Sequence, residues 1–378
     1  MKSLFKSIEE KFYDKETPYL VIDLENVEEK YNVLKHYLPF SEVYYAVKSN
    51  PHFEVLGLLN KLGSNFDIAS IYELDRILSI GVCPDRISYG NTIKKSMDIK
   101  YFYDNGVRLF VTDSHEDLIK IAKNAPGSDI FFRLYLDNSG ADWPLSKKFG
   151  TCSDNILSLV EEAKKMGLNP YGLSFHVGSQ QKDIEQWDMA LCLCKNIFDI
   201  CKKNGYPLSM LNLGGGLPAQ YLMKDHNNVN LYFSFIKKYL IKHFGKNLPR
   251  ILIEPGRYMV AESGILVTSV ILNTKKNDND FYRWLYIDAG KFNGLIETLN
   301  ECIKYPILTN RKGKKVEMII AGPTCDSLDI LYEDNKYLLS ENLCEGDKVY
   351  FMSTGAYTSS YSSVEFNGFP PIKTYFLW

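Results

Sequence analysis

Polar residues suited to covalent and acid–base chemistry follow several apolar, strand-like runs of this sequence. Lys48 ends "VYYAVK", His176 ends "LSFH" and Glu254 ends "ILIE". Glycines 214–216 follow "LNL", and Arg257 closes the turn "EPGR". A charge at the end of an apolar strand is either solvated at a sheet edge or held in a pocket with a partner, because an unpaired buried charge is costly.

Together, these residue types predict a site for a planar cofactor that carries a phosphate. Consecutive glycines let backbone N–H groups approach an anion, and the planar fork of Arg257 suits phosphate. Lys48 can form a Schiff base with an aldehyde, Glu254 can pair with a protonated ring nitrogen, and His176 can lie flat on the ring. This combination predicts pyridoxal phosphate. Taken singly, each residue also has a structural interpretation: a tight turn, a surface arginine, a strand-end histidine or a Glu254–Arg257 ion pair.

Such a site requires elements that bring distant strand ends together. Eight β-rich runs recur, at 43–48, 65–70, 86–91, 108–113, 130–136, 172–178, 210–216 and 250–256. Amphipathic stretches with helical spacing lie between them, for example Ile71, Leu74, Ile77 and Leu78 before Gly81. This alternation predicts a closed (β/α)8 barrel, with a doubly wound parallel sheet as the alternative.

A barrel gathers the carboxyl ends of its strands at one rim, where chemistry collects. The predicted rim residues are Lys48, Asp67, Asn91, Asp113, Arg133, His176, Gly214, Gly215, Gly216, Glu254 and Arg257. So many polar groups at one rim favour a site over simple solvation.

The sequence pattern changes after residue 262. Strand-like runs such as "ILVTSVILNTKK" and "KVEMIIAG" follow one another with few helical periods, which predicts an all-β domain. "PYLVID" at 18–23 can pair with that sheet. The expected domains are therefore a barrel at 24–262 and a β-sheet domain, barrel-like in its closure, formed by 1–23 plus 263–378.

Composition and charge restrict the partners. The net charge of −2 over 378 residues gives no sign of a nucleic-acid or membrane partner. The eight cysteines lack CxxC spacing, which favours reduced thiols over disulfides or a metal site. No GxGxxG follows the first strand, so a dinucleotide is disfavoured. The start of the chain does not resemble a signal peptide, and no run reaches the ~18 apolar residues of a spanning helix, so we expect a cytoplasmic protein.

A set of motifs in order along the chain resembles a known family. "YYAVKSN", "FDIAS", "FHVGSQ", "LNLGGGLP", "EPGRY", "GPTCDSLD", "GAYT" and "FNGF" are similar to the eukaryotic-type ornithine and lysine decarboxylases of the alanine-racemase fold class. The resemblance spans nearly the whole chain. It implies a barrel plus β domain, a pyridoxal phosphate cofactor, and a homodimer with shared active sites. The implied reaction is L-ornithine to putrescine, L-lysine to cadaverine, or both, in polyamine biosynthesis.

The resemblance also implies roles for individual residues. Lys48 would hold the cofactor as a Schiff base, and Cys325 of the partner subunit would protonate the product. The implied cofactor-binding set is Lys48, Asp67, Arg133, His176, Ser179, Gly214, Gly215, Gly216, Glu254, Gly256, Arg257 and Tyr357. Glu73 would be a further acid near the lysine. The implied substrate-binding set is Glu301, Asp326 and Phe366.

Related activities remain alternatives. Diaminopimelate decarboxylases usually show "CES" where this chain has "CDS" at 325–327, and this sequence does not clearly offer an added arginine for their second carboxylate. Alanine racemases lack "GPTCDS". Glu301 aligns where animal ornithine decarboxylases place the aspartate that binds the distal amine. One methylene is worth only ~1–3 kcal/mol of substrate discrimination, so ornithine, lysine and arginine all stay open.

Two alternatives lie outside this chemistry. Non-catalytic decarboxylase-like regulatory proteins have lost cofactor contacts, whereas Lys48, Glu254, Arg257, Cys325 and Tyr357 are all present here. A barrel Schiff-base aldolase without a cofactor would leave the glycine loop and Glu254 without a purpose. Both are therefore disfavoured.

Overall fold

The computed structural model describes residues 2–137, 139–143, 148–222 and 228–378. Two compact units divide the chain. One holds the described residues within 28–218 and 228–258, and the other those within 2–27, 219–222 and 259–378. These boundaries lie slightly inside the predicted barrel segment 24–262, and the finer domain extents stay a prediction.

The strands and helices are numbered in chain order. The described strands are β1 (Tyr19–Asp23), β2 (Ser41–Ala46), β3 (Asn65–Ile68), β4 (Ile87–Tyr89), β5 (Leu109–Thr112), β6 (Asp129–Arg133), β7 (Ala141–Trp143), β8 (Asn169–Ser174), β9 (Ser179–Gln181), β10 (Met210–Asn212), β11 (Arg250–Ile253), β12 (Gly264–Thr274), β13 (Arg283–Ile287), β14 (Ile307–Thr309), β15 (Lys315–Ala321), β16 (Ile330–Ser340), β17 (Lys348–Met352) and β18 (Lys373–Leu377). The described α-helices are α1 (Lys2–Phe12), α2 (Leu24–Tyr37), α3 (Phe53–Lys61), α4 (Ile71–Ser79), α5 (Ser96–Asp104), α6 (His115–Asn124), α7 (Ser153–Lys165), α8 (Glu185–Lys203), α9 (Val229–Phe244) and α10 (Arg257–Val260).

Parallel strands close the first unit into a barrel. Their order is β10, β11, β2, β3, β4, β5, β6 and β8, with β8 paired back to β10. The predicted closed barrel is confirmed, and the doubly wound alternative is wrong because such a sheet keeps two free edges. Each predicted β-rich run overlaps one barrel strand.

Local sequence explains where these elements begin and end. Ser70 caps α4 by accepting a hydrogen bond from the backbone N–H of Glu73, and the turn after α4 reaches Gly81 with φ of +79°. β2 ends at Ala46, and Val47–Ser49 form a 3₁₀ turn. Lys48 therefore lies just beyond the strand, on the turn, rather than as its last residue.

Large side chains fill the barrel interior. Tyr44, Leu109, Val111, Phe131, Met210 and Leu252 form one buried cluster. At the amino end of β11, Arg250 pairs with Glu42 through Nε–Oε1 and Nη2–Oε2 contacts of 2.7 and 2.6 Å. The barrel interior is thus a packed core rather than an open channel, and the amino end is closed by this ion pair.

The second unit is mainly a sheet. Its strands follow the order β14, β17, β12, β13, β15 and β16. β1 pairs antiparallel with β12 and parallel with β18, which confirms the expectation that residues 18–23 join this sheet. A buried cluster supports it, made of Ile8, Tyr19, Val21, Ile265, Val267, Tyr350, Met352 and Leu377.

Across the described part of the chain, no helix combines the length and apolarity needed to cross a membrane.

Candidate active site

The turn that carries Lys48 packs against the segment that carries Glu254 and Arg257. The backbone N–H of Ala46 donates to Pro255 O at 3.3 Å. A Cβ on Gly256 would lie 3.1 Å from Ser49 Cβ, so glycine permits this close approach. The side chain of Lys48 is exposed on this turn. Two of the predicted rim segments are therefore brought together by backbone packing.

Glu254 is held by Asn212, a buried residue at the carboxyl end of the apolar strand β10. The Nδ2 of Asn212 donates to Glu254 Oε1. Its Oδ1 accepts from the backbone N–H of Gly214 at 2.9 Å. Burial raises the pKa of Glu254, while the Asn212 hydrogen bond and the charges of Arg133 and Lys48 oppose that rise.

The glycine loop lies tightly on the segment that follows β8. Gly214 and Gly216 have φ of +63° and +97°. A Cβ on Gly214 would lie 2.1 Å from Phe175 O, and one on Gly216 would lie 2.6 Å from a methyl group of Val177. Two of the three glycines are therefore required by backbone shape and packing, whatever the loop binds.

His176 carries a neutral ring. Burial lowers its pKa well below the usual range, and the nearby charges of Arg133 and Lys48 lower it further. Its Nδ1 accepts from the backbone N–H of Gly178 at 3.0 Å, so the ring proton lies on Nε2. A Cβ on Gly215 would be 3.1 Å from this Nε2, which places the ring beside the glycine loop.

Two arginines lie near the rim. Arg257 is buried, and its Nε donates to Ser179 Oγ at 3.1 Å. The guanidinium of Arg133 lies over the Phe149 ring, 4.8 Å from its centroid. Burial lowers the pKa of Arg133, and the charge of Glu254 opposes this most strongly.

Asp67 and Glu73 add carboxyl groups near Lys48. Ser88 Oγ donates to Asp67 Oδ1 at 2.8 Å. Burial and the charge of Glu254 raise the pKa of Asp67 well above its usual value, with Lys48 opposing. Glu73 Oε2 accepts from the backbone N–H of Ala69 at 2.7 Å, and burial raises its pKa. Glu73 thus also serves the start of α4.

Asn91 and Asp113 accept hydrogen bonds from backbone N–H groups, Asn91 within its own turn and Asp113 from a distant loop. Asn91 Oδ1 accepts from the backbone N–H of Ile93 at 3.0 Å. Asp113 Oδ2 accepts from the backbone N–H of Gly150 at 2.8 Å. These hydrogen bonds explain why polar side chains stand at both positions without invoking a bound ligand.

The remaining predicted residues lie in the second unit. Cys325 is exposed, and its backbone N–H donates to Asn367 Oδ1 at 3.1 Å. The ring of the adjacent Phe366 lies 4.5 Å from that of Phe292, between centroids. Asp326 Oδ1 accepts from the backbone N–H of Leu328 at 2.8 Å. Tyr357, half-buried, adopts a left-handed φ of +56°.

The carboxylate of Glu301 is engaged by the first half of β16. Its Oε1 accepts from the backbone N–H groups of Glu333 and Asp334 at 2.7 and 2.8 Å. Its Oε2 accepts from Asn335, through the backbone N–H at 3.0 Å and through the side-chain amide. Burial acts to raise the pKa of Glu301, but these hydrogen bonds outweigh burial and lower it. The distal-amine role of Glu301 stays a prediction.

Asp329 is a buried acid that the sequence interpretation missed. Its Oδ1 accepts from the backbone N–H of Lys291 at 2.7 Å. Its Oδ2 accepts from Thr324, at 3.1 Å from the backbone N and 2.7 Å from Oγ1. Asp329 thereby ties two loops together next to Cys325. Asp329 could have been identified from the sequence because it ends the motif "GPTCDSLD". Asn212 could have been identified because it is a polar residue within the apolar run "MLNL".

The barrel residues fit pyridoxal phosphate by the chemistry of their donor set. A buried carboxylate, a neutral ring, a buried arginine beside a hydroxyl, and an exposed amine are gathered on adjoining segments, as a charged heterocycle with a phosphate requires. Fold and site therefore define a pyridoxal phosphate enzyme built on a (β/α)8 barrel.

Comparison with known proteins places the chain within such a family. Residues 24–261 match the pyridoxal binding domain of the pyridoxal-dependent decarboxylases. The chain is 34% identical over 355 residues to the lysine/ornithine decarboxylase of Selenomonas ruminantium, covering 93% of this chain and 88% of that protein. This protein belongs to the pyridoxal-dependent decarboxylase family, and its cofactor is pyridoxal phosphate.

Solved structures give the same result. The Vibrio vulnificus lysine/ornithine decarboxylase, complexed with cadaverine, has a TM-score of 0.87 at 30% identity, covering 100% of this chain and 98% of that one. The arginine decarboxylase of Paramecium bursaria Chlorella virus has a TM-score of 0.91 at 28% identity, covering 100% of both chains. These similarities support decarboxylation of a basic amino acid as the class of reaction.

Proposed function

We propose that this protein decarboxylates L-ornithine to putrescine, with L-lysine to cadaverine close behind, as a step of polyamine biosynthesis. The observation that carries the proposal is the joined set of Lys48, Glu254, His176 and Arg257 on the barrel. The names of the relatives, which include both lysine and ornithine, support a basic substrate.

We assign the barrel residues to the cofactor. Lys48 Nζ would hold it covalently, Glu254 would face its ring nitrogen, and His176 would lie on its ring. The implied phosphate contacts are Gly214, Gly215, Gly216, Ser179, Arg257 and Tyr357. The remaining supporting residues are Asp67, Arg133 and Gly256. When bound, pyridoxal phosphate accepts the electron pair left behind as carbon dioxide departs.

Glu254 must be ionised to keep a ring nitrogen protonated. Burial alone would favour its neutral form, and the amide of Asn212 counteracts this. His176, being neutral, adds no second positive charge beside that ring. The lowered pKa of His176 supports the assignment, because a neutral imidazole leaves the ring nitrogen free to carry the positive charge. The Asn212 hydrogen bond supports it as well, because that bond opposes protonation of Glu254.

We infer that the protein is a homodimer with shared active sites, in which Cys325 and Asp326 reach the substrate from the partner subunit. Asp326 and Glu301 would bind the distal ammonium, Phe366 would line the interface, and Cys325 would deliver a proton to the α-carbon. The exposed position of Cys325 supports this role, because a proton donor must be accessible to substrate. The eight cysteines form no disulfide bonds with one another, which supports our further proposal of a cytoplasmic location.

The covalent role of Lys48 is tested by reduction. Borohydride converts a lysine Schiff base into a stable amine, so digestion and mass spectrometry should find the cofactor on the peptide that contains Lys48. Label on another lysine would contradict the assignment.

The substrate assignment is tested by carbon dioxide release from L-ornithine, L-lysine, L-arginine and meso-diaminopimelate. We expect kcat/KM to be highest for ornithine, with lysine within about tenfold, since one methylene discriminates weakly. A highest kcat/KM for arginine or diaminopimelate would contradict the proposal and reassign the specificity. Protein with bound cofactor that releases carbon dioxide from none of the four would contradict the reaction.

A further inference from the structure

Gln181 is a fully buried amide that joins separate segments of the barrel unit. Its Nε2 donates to Val177 O at 2.6 Å and to Ser139 O at 3.0 Å. Its Oε1 accepts from the backbone N–H of Asp183 at 2.9 Å. Its own backbone N–H donates to Gly216 O at 3.0 Å. Gln181 is completely buried, with 0% of its surface accessible to solvent.

Two of the partners of Gln181 belong to the glycine loop and to the turn that packs on it. Val177 and Gly178 belong to the turn after β8, whose Gly178 N–H fixes His176 Nδ1. Gly216 closes the glycine loop and packs on the same turn, since a Cβ there would lie 2.7 Å from Gly178 O. One residue thus holds the turn through its side chain and the loop through its backbone.

The hydrogen bond from Gln181 Nε2 to Ser139 O connects it to residues 139–143, which we call the strap. The strap contains β7, and its Ala141 pairs with Gln181 while the next pair joins Trp143 and Ser179. Lys182 adds a backbone hydrogen bond to Gly140 O at 3.2 Å and an ion pair to Asp142 at 2.8 Å. The strap therefore lies directly against β9.

Ser179, at the start of β9, is also the residue that Arg257 Nε contacts. Gln181 is two positions further along the same short strand. Holding Gln181 in place consequently holds the hydroxyl that Arg257 uses, as well as the loop and turn.

We propose that Gln181 is the positioning residue for the phosphate side of the cofactor site, acting through Gly216, Val177 and Ser179 rather than by contact. This inference rests on the proposed function, in which those segments bind the phosphate of pyridoxal phosphate. An amide is suited to the role because one side chain must donate twice and accept once. An ionised glutamate at this position would donate nothing and would face two carbonyl oxygens.

The test compares pyridoxal phosphate with pyridoxal, which lacks the phosphate. For Gln181→Glu we expect the Kd of pyridoxal phosphate, measured by equilibrium dialysis on apo-protein, to rise about tenfold or more. The Kd of pyridoxal should stay within about twofold of wild type. Asn105→Asp is the matched control: its exposed amide donates to a single backbone carbonyl, Tyr101 O, at 2.9 Å. Equal losses for both ligands, or no loss for either, would overturn the inference.

A second variant, in the strap, displaces the Gln181 side chain without replacing it. Gly140 has φ of +81°, and a Cβ on it would lie 2.8 Å from Gln181 Oε1. Gly140→Ala should therefore reproduce the phosphate-selective loss with the Gln181 side chain intact. If Gln181→Glu does not fold, Gly140→Ala still tests the positioning role of Gln181.

Hydrogen exchange of the apo-protein separates this inference from the proposed function. Both variants should exchange faster than wild type in peptides that cover the strap and the turn from 176 to 182, and at the wild-type rate in β3. Unchanged exchange in the strap and turn overturns the positioning role without any cofactor. Wild-type protein that binds no pyridoxal phosphate overturns the proposed function instead.

Discussion

Asn212 holds Glu254 and the glycine loop with one side chain. Its amide nitrogen donates to Glu254 Oε1, and its amide oxygen accepts from the backbone N–H of Gly214. The backbone N–H of Glu254 in turn donates to Gly214 O at 2.8 Å. The carboxylate proposed to face the cofactor ring is therefore oriented by the same residue that fixes the start of the loop.

Replacing Asn212 by aspartate should move the pH dependence of activity. Asn212 lowers the pKa of Glu254 against the effect of burial, so its loss lets that pKa rise. Glu254 must be ionised to act, so the acid limb of the kcat/KM profile should shift to higher pH. At neutral pH we expect kcat/KM to fall about tenfold or more, the cost of losing a hydrogen bond to a charged group.

Asn204→Asp provides the control for this change. Asn204 is the exposed residue that follows α8, and its side chain donates to Ile200 O at 2.9 Å. Its profile should match wild type. An Asn212→Asp profile with an unshifted acid limb would show that Asn212 does not set the ionisation of Glu254.

Asp67→Asn should stabilise the apo-protein at neutral pH while impairing activity. Burial and Glu254 raise the folded-state pKa of Asp67 well above 3.8. The folded protein then holds this proton more tightly than the unfolded chain, so the contribution of Asp67 to stability falls as the pH rises through its folded-state pKa. Asparagine does not ionise, so the variant avoids this loss of stability at high pH. Its amide oxygen can still accept the hydrogen bond from Ser88 Oγ.

Thermal unfolding of the apo-protein at several pH values checks this prediction. The Tm of Asp67→Asn should exceed that of wild type at pH 8, and the two should converge as the pH falls toward about 4. Asp75→Asn, in the exposed face of α4, should leave Tm unchanged throughout. A lower Tm for Asp67→Asn at pH 8 would mean that its carboxylate stabilises the fold.

Glu301→Gln should destabilise the protein by about 1–2 kcal/mol, because four N–H donors lose their charged acceptor. Hydrogen bonds lower the folded-state pKa of Glu301, so the stability it contributes is present above 4.5 and is lost as the pH falls through the folded-state pKa. The difference from wild type should therefore be largest at neutral pH. Urea denaturation at two pH values measures it.

The exposed neighbour Glu333→Gln serves as the comparison and should behave as wild type. Equal stability of Glu301→Gln and wild type would contradict the capping role. The KM for ornithine, measured on the folded Glu301→Gln protein, then decides separately whether the same carboxylate binds the distal amine.

Mixing two inactive variants should restore activity if the site is built from two chains. Lys48→Ala and Cys325→Ala each lack one half of the proposed chemistry. Random reassortment gives one intact site in each mixed dimer, so activity should return to about one quarter of wild type. Lys48→Ala mixed with Glu254→Ala should show no recovery, because both residues belong to the same barrel. Failure of the first mixture, with exchange confirmed by mass-tagged subunits, would contradict the shared site.

The barrel could be predicted from the sequence because its signals are local. Runs such as "RLFVTD" and "RILIEPG" contain enough apolar and β-branched residues to specify strands from their own composition. Glycines such as Gly81 mark where the helical stretches between them end. The polar residues that follow the strands, Lys48, His176 and Glu254, could be identified for the same reason. Their assembly at one rim follows from the parallel barrel.

Tertiary structure alone decided which uncharged side chains hold the site segments in place. Asn212 and Glu254 are 42 positions apart in the chain, as are Gln181 and Ser139. It also decided that the carboxylate of Glu301, identified by alignment, is taken up by backbone N–H groups more than thirty residues away. A hydrogen bond depends on distance and angle, which the spacing of residues along a strand or helix does not specify.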